Sequence, residues 1–199
     1  DEAGRRVAQH SDGGGHPAAI VAANVASGEV DVLLNFSRAA AVFETAFDAR
    51  SGTLYLLIDG ASLMPLDLTT LKWGPTVDID VNGCSEKRPC FSELRFDSKR
   101  QSILALGIGY GNHTNALVSI DKTDGTVTLL IPFDINCAVY LESSVVDAIA
   151  GIFYAWLGCG TQAKAQLVAF EYGHPERKGL QTIVEVGYKS VASPCAIVP

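Results

Sequence analysis

Three segments of the chain read alike: "FDARSGTLYLL" from Phe47, "FDSKRQSILAL" from Phe96 and "VDAIAGIFYAW" from Val146. Their aspartates, Asp48, Asp97 and Asp147, stand 49 and 50 residues apart. Each aspartate follows an apolar residue and precedes a short turn and a β-prone apolar run. Asp suits such a turn because its carboxylate accepts hydrogen bonds from backbone N–H groups close by. A period of this length constrains the fold more than any single motif does, because repeating units stack and bury their faces against one another.

Two further sets of segments keep the same period. One comprises "IVAANVASG", "LMPLDLTT", "LVSIDKTDG" and "LVAFEYGHP", carrying Asn24, Asp67, Asp121 and Glu171. The other comprises "EVDVLLNF", "PTVDIDV", "TVTLLIPF" and "TIVEVGY". The pieces are short, rich in Val, Ile, Leu and Tyr, and bounded by Gly, Asp, Asn and Ser, which is the signature of strands. The best helix candidate, "SRAAAVFETAF", falls where the repeat requires a strand, and the repeat decides. The expected unit has four strands, a to d. Complete units span about 37–81, 82–135 and 136–188, and strands b, c and d of another lie within 1–36.

A four-stranded unit of this length resembles a β-propeller blade. The resemblance covers essentially the whole chain and rests on architecture. There is no WD dipeptide with a Gly-His partner and no kelch double glycine at the expected place. "FDARSGTLYLLIDGASLMPLDL" faintly resembles a hemopexin-type blade, whose domains have four blades and similar length. The implied fold is an all-β propeller of about four four-stranded blades in a single domain, 1–199. "SPCAIVP" matches "RPCFSELRF" and "NCAVYLES", so 189–199 is expected to supply strand a to the unit begun by 1–36. Such sharing removes open strand edges. The competing expectation is a fragment of a longer propeller.

The chain has 48% hydrophobic and 19% charged residues, ordinary for a globular domain. Its net charge is −7, and Lys and Arg are scattered. That argues against nucleic acid as a partner, which demands clustered positive charge. No apolar run reaches the roughly 18 residues of a membrane span. The absence of a Met-initiated signal peptide reads as a mature or excised sequence.

Five cysteines stand at 84, 90, 137, 159 and 195, without zinc spacing. Cys137 and Cys159 lie equally far from the turn at Ala148, so strands a and b should bring them opposite each other as a disulfide. Cys84 and Cys90 bracket "SEKRP" and form a second expected pair, leaving Cys195 over. Paired cysteines, together with sequons at Asn35 and Asn112, point to the secretory pathway or the extracellular space.

Candidate ligand-binding residues are few. Asp48, Asp97 and Asp147 recur by symmetry, so one reading is a ring of carboxylates able to hold Ca²⁺. The other reading, favoured by recurrence, is three structural turn residues. The Gly-rich stretches "SDGGGH" and "GIGYGNHT" precede no helix whose N-terminus could face a phosphate, and read as b–c loops. They carry His16, Tyr110 and His113. Trp73 and Tyr172 fall in expected loops or strand ends, where aromatic rings stack sugars. The pairs Glu29/Asp31 and Asp78/Asp80 read as charged edges of outer strands. No G-x-S-x-G elbow occurs. The expectation is a non-enzymatic binding or structural module presenting loops to a protein or carbohydrate, without a resident cofactor. The alternatives are a piece of a larger extracellular assembly associating with another chain, or a propeller hydrolase or lyase with an acidic or metal site at the channel mouth.

Overall fold

The computed structural model describes residues 5–10, 19–24, 26–35, 42–58, 60–81, 91–108, 115–133, 137–159, 164–173 and 179–186. Within these, 5–10, 35, 42–43, 108, 137–143, 158–159, 164 and 179–186 are described by backbone alone. All regular structure among the described residues is β. The first sheet holds β1 (Arg5–His10), β2 (Ala19–Asn24) and β3 (Val30–Asn35) in that order. The second runs β4 (Val42–Asp48), β5 (Thr53–Ile58), β6 (Ser62–Asp67) and β7 (Lys72–Trp73), with β8 (Val77–Asp78) also on β6. The third holds β9 (Phe91–Asp97), β10 (Ser102–Ile108), β11 (Asn115–Ile120) and β12 (Val127–Phe133). The fourth holds β13 (Cys137–Asp147), β14 (Ile152–Cys159), β15 (Lys164–Glu171) and β16 (Gly179–Val186).

Every pairing is antiparallel and, apart from that of β8 with β6, joins sequence neighbours, so each sheet is built as a meander. The segment with helical propensity, "VFETAFD", is strand β4. Its alternation places Glu44, Ala46 and Asp48 inward while Phe47 stays exposed. Burial on that face outweighs a propensity difference of at most about 1 kcal/mol per residue.

The repeat extends to the irregularities. The last strand carries extra length opposite the same point of strand c in every sheet. The register slips between Ile20 and Val21, Leu117 and Val118, and Leu167 and Val168. In the second sheet, Gly74–Thr76 split β7 from β8 there. The innermost strands slip too, opposite Val42–Glu44, Ser92–Arg95 and Val139–Ser144. Such bulges bend a strand and increase its twist.

The second and third sheets bury both faces, and b-strand alternation divides the work. In the second sheet, Leu54 and Leu56 join Ile20 in a core with the first sheet. Tyr55 and Leu57 face the third, meeting Ile103, Ala105, Val118 and Ile120. In the third sheet, Leu104, Leu106 and Leu117 turn to the fourth, against Phe153, Ala155, Val168 and Phe170. Each fully buried Leu, Ile or Phe contributes roughly 1.5–3 kcal/mol. Inner strand β9 lies between inner strands β4 and β13. The second, third and fourth sheets therefore stand side by side about their a strands, as propeller blades do, and the first packs on the second through Ile20. Among the described residues they do not close into a ring. The expected pairing of 189–199 with 5–10 lies outside the described residues.

Candidate functional site

Meander topology sends the a–b and c–d turns of every sheet to one end, and the b–c and d–a connections to the other. The first end is built from one local device used repeatedly. Asp48 Oδ1 accepts from the N–H of Arg50, Asp97 Oδ1 from those of Lys99 and Arg100, and Asp147 Oδ1 from those of Ile149 and Ala150. The three backbone carbonyls accept from the N–H of Gly52, Gln101 and Gly151. Those closing residues are left-handed, with φ of 69°, 57° and 70°, which favours glycine in two of the three turns.

The c–d turns repeat the device. Asn24, Asp67 and Asp121 each accept N–H bonds from residues two or three further on. Hydrogen bonds from Thr70 and then Thr69 hold the Asp67 carboxyl below its ordinary 3.8. The Thr123 hydroxyl and N–H do the same for Asp121. Asp48, Asp97 and Asp147 are thus employed in their own turns.

At two joints these aspartates also tie one sheet to the next. Tyr172, directly after β15, donates its hydroxyl to Asp97 Oδ2 at 2.9 Å. Arg100 Nη1 lies 3.2 Å from the same oxygen, and its guanidinium covers the Tyr172 ring at 4.5 Å. Asp97 and Tyr172 are both buried. Burial, and then the hydrogen bond to the Asp97 carboxylate, push the Tyr172 phenol far above its ordinary range. Lys122, two residues after the third strand of its own sheet, has the corresponding role at the preceding joint. Its Nζ is 3.8 Å from Asp48 Oδ2, 3.1 Å from Gln101 Oε1 and 5.0 Å from the Phe96 ring centre. Phe96 in turn stacks on Tyr55, with centroids 5.9 Å apart. Tyr172 is therefore an inter-sheet tie, a correction to its reading as an exposed sugar-stacking ring. Trp73 is 38% exposed on β7.

Sequence reasoning missed two carboxylates on the inner strands. Glu44 on β4 and Glu93 on β9 are buried, each four residues before a turn aspartate. Glu93 takes φ of 57° in the β9 bulge. Arg95 reaches Glu93 Oε2 at 3.3 Å and donates to the carbonyls of Leu94 and Ser144, the latter on β13. The recurring spacing E-x-x-x-D was the available signal. Glu29, Asp31 and Asp78 are exposed, as charged outer edges are. Ser62 donates to Asp78 Oδ1 at 3.1 Å.

At the other end the strands are joined through 11–18, 36–41, 59–61, 82–90, 109–114, 134–136 and 160–163, nearly all outside the described residues. His16, Tyr110, Asn112, His113, Cys84 and Cys90 fall on these and lie outside the described residues, as does Cys195. Asn35 ends β3. Cys137 and Cys159 are direct register partners at this end of β13 and β14. Among the described residues no three His, Cys, Asp or Glu side chains converge as a metal-holding group. No described helix is long and apolar enough to cross a membrane.

No protein-family model matches the chain, and no curated protein sequence matches it. Solved structures do. A structural-genomics protein of unknown function from Bacteroides thetaiotaomicron superposes with a TM-score of 0.62 at 14% identity, over 89% of this chain and 44% of that one. An uncharacterized protein from Listeria monocytogenes gives 0.50 at 9% identity, over 92% of this chain and 52% of that one. The WD40 domain of Toxoplasma gondii coronin gives 0.50 at 9% identity, over 92% and 46%. The chain thus spans about half the length of the structures it matches. Its all-β architecture of four antiparallel sheets packed in succession is of the β-propeller type.

Proposed function

We propose that the chain is a non-enzymatic β-propeller module of the secretory pathway or extracellular space. It presents its b–c and d–a loops to a protein or carbohydrate partner. The observation that carries this reading is the asymmetry of the two ends. At one end Asp48, Asp97, Lys122 and Tyr172 are committed to turns and inter-sheet ties. The described strands at the opposite end are joined by 11–18 and 109–114, the segments that hold His16, Tyr110 and His113 in the sequence. Loops held on a rigid scaffold are where recognition usually resides.

The test is a screen of the 199-residue chain on glycan and peptide arrays, repeated with Tyr110→Ala, His16→Ala and His113→Ala. A specific hit lost in these variants but kept in Asp121→Asn supports the loop face. A hit indifferent to all three loop changes contradicts it. A second reading, a propeller hydrolase or lyase, has the buried Glu44 and Glu93 on adjacent inner strands in its favour. Turnover of an array glycan, abolished by Glu93→Gln in a folded variant, would select it.

A further inference from the structure

One joint carries polar groups that packing alone does not call for. Among the described residues, Ser92, Ser102 and Ser144 have buried hydroxyls with no hydrogen-bond partner. Ser102 stands at the turn end, opposite Asp97. Ser92, only 5% exposed, and Ser144 lie on the inner strands β9 and β13. Cross-strand partners share a face of their sheet. Ser92 is opposite Leu106 and Ser144 opposite Ala155, and both partners pack in the core between the third and fourth sheets. The two unpartnered hydroxyls therefore face one joint from its two sides. Native structures rarely leave such groups unpaired.

Arg95 joins them there. It is opposite Leu104, on the same face of β9, and its Nε donates to the Ser144 carbonyl at 2.9 Å, across the joint. The neighbouring units place Ala46 and Val145 at the matching position, two before the turn aspartate, so the repeat does not ask for a cation. Nη1 donates to the Leu94 carbonyl at 2.7 Å, and Nη2 reaches Glu93 Oε2 at 3.3 Å, the longest of these contacts. The Glu93 side chain is wholly buried, whereas that of Arg95 is 27% exposed.

The backbone singles out the same place. Among the described residues, the left-handed non-glycine positions are Leu71, Gln101 and Glu93. Leu71 and Gln101 close turns, whereas Glu93 lies within a strand. On β13 the register passes from Val139 opposite Leu157 to Ser144 opposite Ala155, so 140–143 stand against Trp156 alone. Bulges and left-handed non-glycine residues both gather at functional sites.

We propose that Ser92, Glu93, Arg95 and Ser144 bind a neutral sugar ring at the inner side of this joint. The Arg95–Glu93 pair carries no net charge, which suits a neutral ligand over an ion. A sugar hydroxyl entering between Nη2 and Oε2 accepts from the guanidinium and donates to the carboxylate, replacing the longest contact with two. A neighbouring hydroxyl of the ring bonds those of Ser92 and Ser144, each able to donate and to accept. Arg95, the exposed member, marks the point of entry. The site is separate from the loop face and involves no turnover, so its failure leaves the loop reading standing.

The experiment is saturation-transfer NMR of the 199-residue chain titrated with D-glucose, D-galactose and D-mannose, repeated on Ser92→Ala, Ser144→Ala and His113→Ala. At least one sugar is expected to bind with a millimolar dissociation constant. Each serine variant removes a hydroxyl that is unpartnered in the free chain. Both are therefore expected to keep wild-type stability in urea and to bind that sugar about fivefold more weakly. His113→Ala is expected to bind it as the wild type does. Serine variants that lose stability but keep their affinity would assign the hydroxyls a structural role and overturn the proposal. No transfer to any of the sugars at about 50 mM, where a millimolar site is nearly full, overturns it as well. So does binding that is lost in His113→Ala and kept in both serine variants.

Discussion

Tyr172 Oη donates to Asp97 Oδ2 at 2.9 Å, across the boundary between the third and fourth sheets and 75 residues along the chain. The contact fuses two scales of the fold. Asp97 is a local turn residue, bonding the N–H of Lys99 and Arg100. Its second oxygen is the anchor for the neighbouring sheet. A turn device that every unit needs has become, in the buried interval between units, the point where they are fastened.

Stability should fall on the alkaline side through this pair. Burial and the Asp97 carboxylate favour the protonated phenol, so the folded-state pKa of Tyr172 lies above the unfolded value of 10.0. Its contribution is complete below pH 10 and is lost as pH rises beyond it. Urea denaturation at pH 8 and pH 10.8 should show a larger decline for wild type than for Tyr172→Phe. Parallel declines would show that the phenol is not the titrating group.

On the acid side the turn carboxylates act in the opposite sense. Asp121 titrates below its ordinary 3.8 because Thr123 bonds the charged form. Its contribution is present above that value and is lost as pH falls through it. Asn24 makes the same turn in the first sheet without a charge. Asp121→Asn is therefore expected to fold normally and to show a flatter stability profile between pH 5 and pH 2. A profile as steep as wild type would exclude Asp121 as a source of the acid loss.

Gly125 takes φ of 75° and bonds Asp80 N–H through its carbonyl, closing the third sheet's c–d turn against the second sheet. A Cβ there would overlap the carbonyl of Asp78. Gly125→Ala is expected to cost about 2 kcal/mol or more in chemical denaturation, from the left-handed backbone and the lost clearance together. Gly28, also left-handed, has nothing within 4 Å of such a Cβ. Gly28→Ala should cost about 1 kcal/mol. Equal costs at the two sites would contradict the close approach.

Cys137 and Cys159 are register partners, and directly opposed residues in an antiparallel pair stand within the Cα separation a disulfide spans. Non-reducing peptide mass mapping is expected to return the two in one linked peptide. Reduction is then expected to cost about 3 kcal/mol for a loop of this size. Two separately alkylated cysteines in protein purified from an oxidising compartment would contradict the pairing.

Local devices were legible in the sequence because their chemistry is local. Asp48, Asp97 and Asp147 each act on atoms two to four residues away, so a period of about 50 residues exposed them. The same period placed β4 correctly against its helical propensity, since burial of Ala46 depends on the unit and not on the segment. What was not legible lies between units. Tyr172 and Lys122 occupy matching positions after β15 and β11 yet share no side-chain chemistry, so no repeat announces them. Glu93 shares with Glu44 its spacing from a turn aspartate, a signal the sequence offered, but its left-handed place in the β9 bulge was not legible.

Consecutive units stand face to face and are fastened at their turns, and everything above depends on that arrangement. A double-mutant cycle on Asp97→Asn and Tyr172→Phe tests it most directly, because Asn preserves the turn while removing the charge. The two residues belong to different units, so only side-by-side sheets can couple them. A coupling free energy of about 1 to 3 kcal/mol in urea denaturation is the result expected for a buried charged hydrogen bond. Strict additivity of the two substitutions would mean that the sheets are not arranged as described.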